Sequence, residues 1–132
     1  MRQDIITLLL VFGLTACGQN DEFKITRSEF MEGIKDSTAI VVDVRTPDEF
    51  ATVRIPGSVN YDIKSDDFEE QVKDLDRSAA LYLYCRSGRR SNTAAIKLTE
   101  LGFEKVYDLE GGILGWTEDG LPADSASLQI TN

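Results

Sequence analysis

The sequence predicts a three-layer α/β fold, in which a mostly parallel sheet carries helices on both faces. Two observations support this prediction. Apolar runs alternate along the chain with helix patterns, and strands joined through helices run parallel by right-handed crossovers. The run at residues 40–44, Ile-Val-Val-Asp-Val, is apolar and β-branched except for its acid, as expected of a strand covered on both faces. Ligands bind such sheets at the carboxyl ends of the strands.

The first half of the chain contains signals for two helix starts. Residues 23–25 predict a short strand, and Thr26 with Glu29 forms a capping-box pattern for the helix that follows. After the apolar run, Thr-Pro-Asp-Glu at residues 46–49 supplies an N-cap, a first-turn proline and an acid at the third helical position. A short strand is then expected at residues 58–61.

The second half of the chain repeats the alternation of strand and helix. The helix pattern at residues 91–101 carries an apolar stripe and is ended by Gly102. The acidic helix predicted at residues 68–75 is expected to expose its charged side chains to solvent. The predicted elements are a helix at residues 68–75, a strand at 81–84, a helix at 91–101, a strand at 106–109 and a short helix opened by Gly111-Gly112 and carrying Trp116.

A cysteine stands directly after the strand predicted at residues 81–84. From Cys85 the chain reads Cys-Arg-Ser-Gly-Arg-Arg-Ser, so a short cationic loop without an acid leads into a helix. The helix N-terminus offers unpaired N–H groups and a partial positive charge, and Gly88 lets the loop backbone curl toward the sulfur. These effects favour the thiolate over the thiol. Cys85 is therefore predicted to be an activated nucleophile that handles a small anion, the alternative being a small buried hydrophobe. The loop cations are Arg86, Arg89 and Arg90.

The other cysteine lies in a different context. A single Arg2 precedes an apolar stretch at residues 5–14, which is too short to span a bilayer and fits a secretory signal. The stretch ends Leu-Thr-Ala-Cys at residues 14–17, which resembles a bacterial lipobox. We therefore expect Cys17 to be lipidated, with an ordinary secretory signal or a buried N-terminal segment as the alternatives.

These assignments predict the domain organisation and the location of the protein. It is expected to be extracytoplasmic and lipid-anchored to a bacterial membrane, on the periplasmic side in a Gram-negative cell. The predicted parts are a signal peptide at residues 1–16, a linker at 17–22 that starts at lipidated Cys17, one domain at 23–122 and a flexible tail at 123–132.

The composition excludes several classes of function. The chain has 23 acidic and 14 basic residues and a formal net charge of −9, which suits neither nucleic acid nor an anionic membrane surface. Contact with the membrane is therefore expected through the lipid anchor only. The absence of histidine rules out a Cys/His dyad and argues against a zinc site. With Cys17 lipidated, Cys85 is the one free thiol, and no disulfide can form within the chain. We expect no metal and no cofactor.

Three motifs in order resemble the rhodanese-homology (sulfurtransferase) family. The resemblance covers residues 23–122 and implies a single rhodanese domain with the rhodanese-like three-layer fold. The sequence departs from the family pattern at Val53-Arg54, where the family usually has Gly-His. The matching segments are residues 43–45, 49–50 and 55–60 upstream, 85–91 at the cysteine loop, and 109–113 with Trp116 near the C-terminus.

The resemblance also implies a reaction. The Cys85 thiolate takes the outer sulfur of a small anionic donor such as thiosulfate, and the resulting persulfide passes it to a thiol or to cyanide. The loop N–H groups are expected to hold the persulfide anion as an oxyanion hole holds an alkoxide. The expected substrate-binding residues are Arg86, Ser87, Gly88, Arg89 and Arg90, of which Arg86 and Arg90 suit the thiosulfate oxygens best and Ser87 supports the loop.

The sequence leaves open the roles of Asp43 and Arg45 and two alternative functions. Asp43 and Arg45 match family positions, but an ion pair explains them equally well, with Glu49 as one partner for Arg45. A cysteine phosphatase or arsenate reductase requires Cys-x₅-Arg, whereas the sixth residue after Cys85 here is Ser91. A non-catalytic rhodanese module for partner binding or sulfur sensing is the other alternative.

Overall fold

The computed structural model describes residues 21–125. The predicted signal peptide, Cys17 and the end of the predicted tail therefore lie outside the described residues. The strands are β1 (Lys24–Ile25), β2 (Ile40–Asp43), β3 (Val53–Arg54), β4 (Val59–Asn60), β5 (Ala80–Tyr84), β6 (Lys105–Leu109) and β7 (Asp124–Ser125). The helices are α1 (Arg27–Gly33), α2 (Pro47–Thr52), α3 (Phe68–Val72), α4 (Arg89–Glu100) and α5 (Gly112–Glu118), with one 3₁₀ turn at Asp21–Phe23 before β1.

The centre of the fold is a five-stranded sheet with the order β1-β6-β5-β2-β4. Every neighbouring pair in it is parallel, which confirms the prediction of a mostly parallel sheet. The central strand β5 lies between β2 and β6, so its carboxyl end, where Cys85 follows, is flanked on both sides by other strand ends. This is the edge at which parallel sheets bind ligands.

Alternation along β5 divides the core into two layers. Leu81 and Leu83 belong to a cluster that contains side chains of α3 and α4, whereas Tyr84 belongs to a second cluster that contains side chains of α1 and α5. Helices therefore cover both faces, as predicted. Cys85 continues the alternation and lies on the α3/α4 side, because successive side chains along a strand point to opposite faces.

Both predicted helix caps are present. The side-chain oxygen of Thr26 accepts the N–H of Glu29 at 3.1 Å, and that of Thr46 accepts the N–H of Glu49 at 3.3 Å. At α2 the Glu49 side chain also reaches back to the Thr46 backbone, which completes a capping box. These local contacts satisfy N–H groups that have no partner within the helix, so the sequence alone fixes where the two helices begin.

The structure differs from the predicted elements at four points, the simplest being that α3 ends at Val72 and not at residue 75. Val53-Arg54, the pair that departs from the family motif, forms β3 and pairs antiparallel with β7. The polar end of the chain, predicted to be mobile from residue 123, thus begins as a strand at Asp124–Ser125. Helix α4 begins at Arg89 and not at Ser91, because Gly88 takes a φ of +117° that turns the backbone into the helix two residues earlier.

Candidate active site

The Cys85 sulfur lies under the first turn of α4. Cys85 is only 1% exposed, and its Sγ accepts the backbone N–H of Gly88 at 3.0 Å. The Oγ of Ser91 lies 3.3 Å from the same sulfur. The loop therefore directs one N–H donor at the sulfur, while the Ser91 hydroxyl donates to the Gly88 carbonyl at 3.2 Å, and the positive end of the helix macrodipole faces the sulfur. The loop and the helix start lie around the sulfur as the sequence predicts, and the reactivity of Cys85 stays a prediction.

The backbone after β5 is held from the other side by α5. The N–H of Ile113 donates to the carbonyl of Cys85 at 2.9 Å, and the N–H of Leu114 donates to the carbonyl of Arg86 at 3.2 Å. Gly112 makes this approach possible, because a Cβ at that position would lie 2.4 Å from the Arg86 oxygen and 2.7 Å from the Cys85 oxygen. Sequence reasoning identified the Gly111-Gly112 helix start but not this contact.

The loop cations are not equivalent in the folded protein. Arg86 and Arg89 are exposed, as is Ser87. Arg90 belongs to the first turn of α4 and donates to both carboxylate oxygens of Glu49, at 2.7 and 2.9 Å. The hydrogen bonds from Arg90 lower the pKa of Glu49 to about 2, and the same contact raises the pKa of Arg90. The loop itself contains no acid, but the fold brings one to it from α2, 41 residues away in sequence.

Arg45 forms a buried ion pair with Asp43. The guanidinium Nε donates to the two Asp43 oxygens at 2.9 and 3.0 Å, and Nη2 donates to the Val53 carbonyl at 2.6 Å. The suggestion that Glu49 is the partner of Arg45 is therefore wrong. Asp43 ends β2 and Arg45 lies two residues on, so the pair forms locally, while Glu49 turns toward α4. The pair is almost fully buried, at 0% and 3% exposure, which suits a structural role.

A cavity of about 240 Å³ opens beside Arg86. Its wall combines the side chain of Arg86 with carboxylate, guanidinium and apolar groups from three elements. It offers room for a small anion next to the loop that carries Cys85. The lining residues are Arg45, Glu49, Thr52, Val53, Arg86, Ile113 and Leu114.

A further acid is fully buried in β6, and sequence reasoning did not single it out. Asp108 of β6 is 0% exposed, and neither of its carboxylate oxygens has a hydrogen-bond partner within residues 21–125. Burial raises the pKa of this carboxyl to about 6, although the nearby Ser91 hydroxyl favours the charged form. The available signal was an acid at the inward-facing position of a strand, two residues after Val106.

Comparisons with known proteins agree with this geometry. Residues 26–119 match the family model described as the Rhodanese-like domain. The thiosulfate sulfurtransferase GlpE of Pseudomonas fluorescens is 36% identical over 105 residues, covering 80% of this chain and 94% of that protein. The protein of the same description from Pseudomonas aeruginosa is 35% identical over 108 residues, covering 82% and 96%. The crystal structure of a rhodanese-related protein from Thermoplasma volcanium matches with a TM-score of 0.68 and 35% identity, covering 76% of this chain and 96% of that one.

Proposed function

Because this chain belongs to the rhodanese-like domain family, we propose that it is a sulfurtransferase that carries sulfane sulfur as a persulfide on Cys85. One observation carries the proposal, namely the Gly88 N–H directed at the Cys85 sulfur from 3.0 Å at the N-terminus of α4. A donor placed there stabilises a thiolate and, after sulfur transfer, a persulfide anion. The description of the GlpE relatives as thiosulfate sulfurtransferases supports thiosulfate as the donor.

The proposed reaction has two displacement steps. The Cys85 thiolate attacks the outer sulfur of thiosulfate, the sulfur–sulfur bond of the donor breaks, and sulfite leaves with the electron pair. The persulfide on Cys85 is then attacked at its terminal sulfur by cyanide or a thiolate, which returns the Cys85 thiolate and releases thiocyanate or a new persulfide. Neither step removes a proton from carbon or water, so the reaction needs no imidazole base.

The two best candidate arginines have different roles in this proposal. Arg86 is exposed at the rim of the cavity, so its guanidinium is available to the sulfonate oxygens of the donor. Arg90 already shares both of its terminal nitrogens with Glu49, so it holds the first turn of α4 in place over the sulfur. Arg89 remains a substrate-binding candidate by its position in the loop motif.

The proposed location rests on the N-terminal sequence. We propose that Cys17 is lipidated and that the domain is held close to a bacterial membrane on its extracytoplasmic side. Between Asp21 and Ser125, no helix has the length and apolar character needed to cross a membrane. Attachment through Cys17 would leave Cys85 as the free thiol for chemistry.

Mass analysis of the Cys85 peptide tests the proposed activity. The purified chain, treated with thiosulfate, should gain one sulfur atom on that peptide, and cyanide should remove the sulfur and release thiocyanate in a ping-pong pattern. Cys85→Ser should retain the fold and lose all turnover. Residual turnover in that variant would overturn the mechanism, and hydrolysis of a phosphate ester without sulfur transfer would instead favour a cysteine phosphatase.

A further inference from the structure

One stripe along α5 carries two glycines and is covered by the side chain of Arg27 from α1. Gly111, Gly115 and Asp119 follow one another at intervals of four residues, so they lie on one side of the helix. A Cβ at Gly115 would lie 2.5 Å from Nη1 of Arg27, and a Cβ at Gly111 would lie 3.0 Å from the same atom. The guanidinium therefore occupies the space that side chains at these two positions would need.

The same guanidinium is also tied to the far end of α5. Its Nε donates to the carboxylate of Asp119. Asp119 is the C-cap of α5, and Gly111 is its N-cap. The side chain of Arg27 thus lies against α5 from the residue before its first turn to the residue after its last.

The local structure of α1 determines where Arg27 points. The Thr26 cap starts the helix, so Arg27 is its first residue. Phe30 is fully buried and packs edge-on against Trp116 of α5, with 5.8 Å between the ring centroids. Because side chains three residues apart are neighbours on a helix surface, Arg27 and Phe30 both face α5. The aromatic pair holds the two helices together, and Arg27 covers the glycine stripe beside it.

The first turn of α5 holds the backbone of the cysteine loop. The N–H groups of Ile113 and Leu114 donate to the carbonyls of Cys85 and Arg86 at 2.9 and 3.2 Å. Both donors lie between the two glycines that contact Arg27, so a shift of α5 on its glycine side moves both N–H groups together. A hydrogen bond weakens steeply away from its preferred distance and angle. The loop backbone therefore depends on what fixes the position of α5.

We propose that Arg27 is a positioning residue for the cysteine loop: it holds α5 where Ile113 and Leu114 bind the carbonyls of Cys85 and Arg86. Its effect on turnover rests on the proposed sulfurtransferase function. The ion pair of Arg27 itself contributes little to global stability, because its two side chains are 34% and 48% exposed. Loss of Arg27 should therefore affect the loop and turnover much more than the unfolding of the whole domain.

Hydrogen exchange of single amides in the full chain, followed by NMR, measures the effect without a sulfur donor. In Arg27→Ala the N–H groups of Ile113 and Leu114 should exchange about threefold to tenfold faster than in wild type, because their helix is less firmly held. The N–H of Val44, which donates to the Tyr84 carbonyl at 3.1 Å, should exchange at its wild-type rate. The melting temperature should fall by at most about 6 °C.

Two further variants complete the comparison. Gly115→Ala retains Arg27 but puts a methyl group where its guanidinium lies, so it should reproduce the effect and replaces Arg27→Ala if that variant does not fold. The double variant should be no worse than Arg27→Ala alone, because both changes remove the same contact. Lys35→Ala removes a cation from the exposed pair with Glu32 near the other end of α1, and it should leave exchange and turnover unchanged.

Turnover of thiosulfate and cyanide by the same variants tests the consequence for chemistry. In Arg27→Ala, kcat should fall about threefold to tenfold with a smaller change in KM, because the candidate anion contact Arg86 is retained. Unchanged exchange at Ile113 and Leu114, equal acceleration at Val44, or an unchanged kcat overturns the proposal. Selective acceleration in a protein whose wild type transfers no sulfur supports the link from Arg27 to the loop and overturns the proposed function alone.

Discussion

Arg90 donates to both carboxylate oxygens of Glu49, and the same carboxylate completes the capping box of α2. One acid thus fixes the start of α2 and restrains the first turn of α4, whose N-terminus lies over the Cys85 sulfur. Because the pair is only partly buried, with side chains 21% and 30% exposed, it combines a favourable bidentate geometry with a modest desolvation cost. The pair makes the position of the cysteine loop depend on α2.

The Arg90–Glu49 pair should contribute measurably to stability. We expect Arg90→Ala and Glu49→Gln each to lower the free energy of unfolding by about 1 kcal/mol, and the double variant to lose less than the sum of the two. The folded-state pKa of Glu49, about 2, lies below the ordinary value of 4.5, so the contribution is present above pH 4.5 and is lost as the pH falls toward 2. Urea unfolding at pH 7 and at acid pH measures this. Strict additivity at pH 7 would contradict the pairing.

Arg86 is expected to matter for the donor more than for the fold. Arg86→Ala should raise the KM for thiosulfate about tenfold or more, because a charge-assisted contact of roughly 1.5 kcal/mol or more is lost. The thermal unfolding temperature of Arg86→Ala should be nearly that of the wild type, since the Arg86 side chain is exposed. Lys105→Ala, at the opposite end of the sheet, removes the same charge and serves as the control for net-charge effects. Equal kinetics for the two variants would mean that backbone N–H groups alone bind the anion.

Gly112 should be intolerant of any side chain. Gly112→Ala places a Cβ against the carbonyls of Cys85 and Arg86 at a φ of +59°, so both a clash and backbone strain arise. We expect a loss of about 3 kcal/mol in unfolding free energy and of most turnover, since the clash displaces the loop. Gly57→Ala carries similar strain, with a φ of +77°, but meets open space. Gly57→Ala should cost only about 1 kcal/mol and retain turnover. Similar losses of unfolding free energy and turnover in the two variants would show that the close approach of α5 to the cysteine loop does not matter for stability or activity.

Asp108 should make the protein less stable as the pH rises from 4 to 7. The pKa of Asp108 in the folded state, about 6, lies above the ordinary value of 3.8. The contribution of this carboxyl to stability is therefore greatest below pH 4 and is lost as the pH rises through 6. Asp108→Asn should therefore raise the unfolding free energy at pH 7.5 by about 2 kcal/mol and change it little at pH 4. Chemical denaturation at the two pH values measures the difference. An equal effect at both would show that the carboxyl does not titrate on unfolding.

Cys17 should determine where the protein is found in the cell. Cys17→Ala is expected to release the protein from membrane fractions or leave it unprocessed, because the lipid attachment site is gone. Fractionation, with mass analysis of the N-terminus, checks the outcome. A wild-type protein that fractionates as soluble and begins at another residue would contradict the lipobox assignment.

Local sequence patterns determined much of the fold and the centre of the site. Thr26 and Thr46 cap their helices through contacts within three residues, so the starts of α1 and α2 could be predicted. The apolar run of β5 and the loop after it placed Cys85 at a strand end under a helix N-terminus. These features depend on backbone geometry and hydrogen bonds between near neighbours, which the order of residues encodes directly.

The tertiary structure decided which partners these residues meet. Glu49 reaches Arg90 only because α2 and α4 are brought together, although Arg45 is nearer to Glu49 in sequence. Val53-Arg54 became a strand because residues 124–125 supply its hydrogen bonds from the other end of the chain. Asp108 lies opposite Leu83, and is buried there, because β6 pairs with β5 in one register. Contacts of this kind depend on long-range packing, so the sequence by itself predicts the candidate nucleophile Cys85 but not the charged groups that the fold brings to its loop.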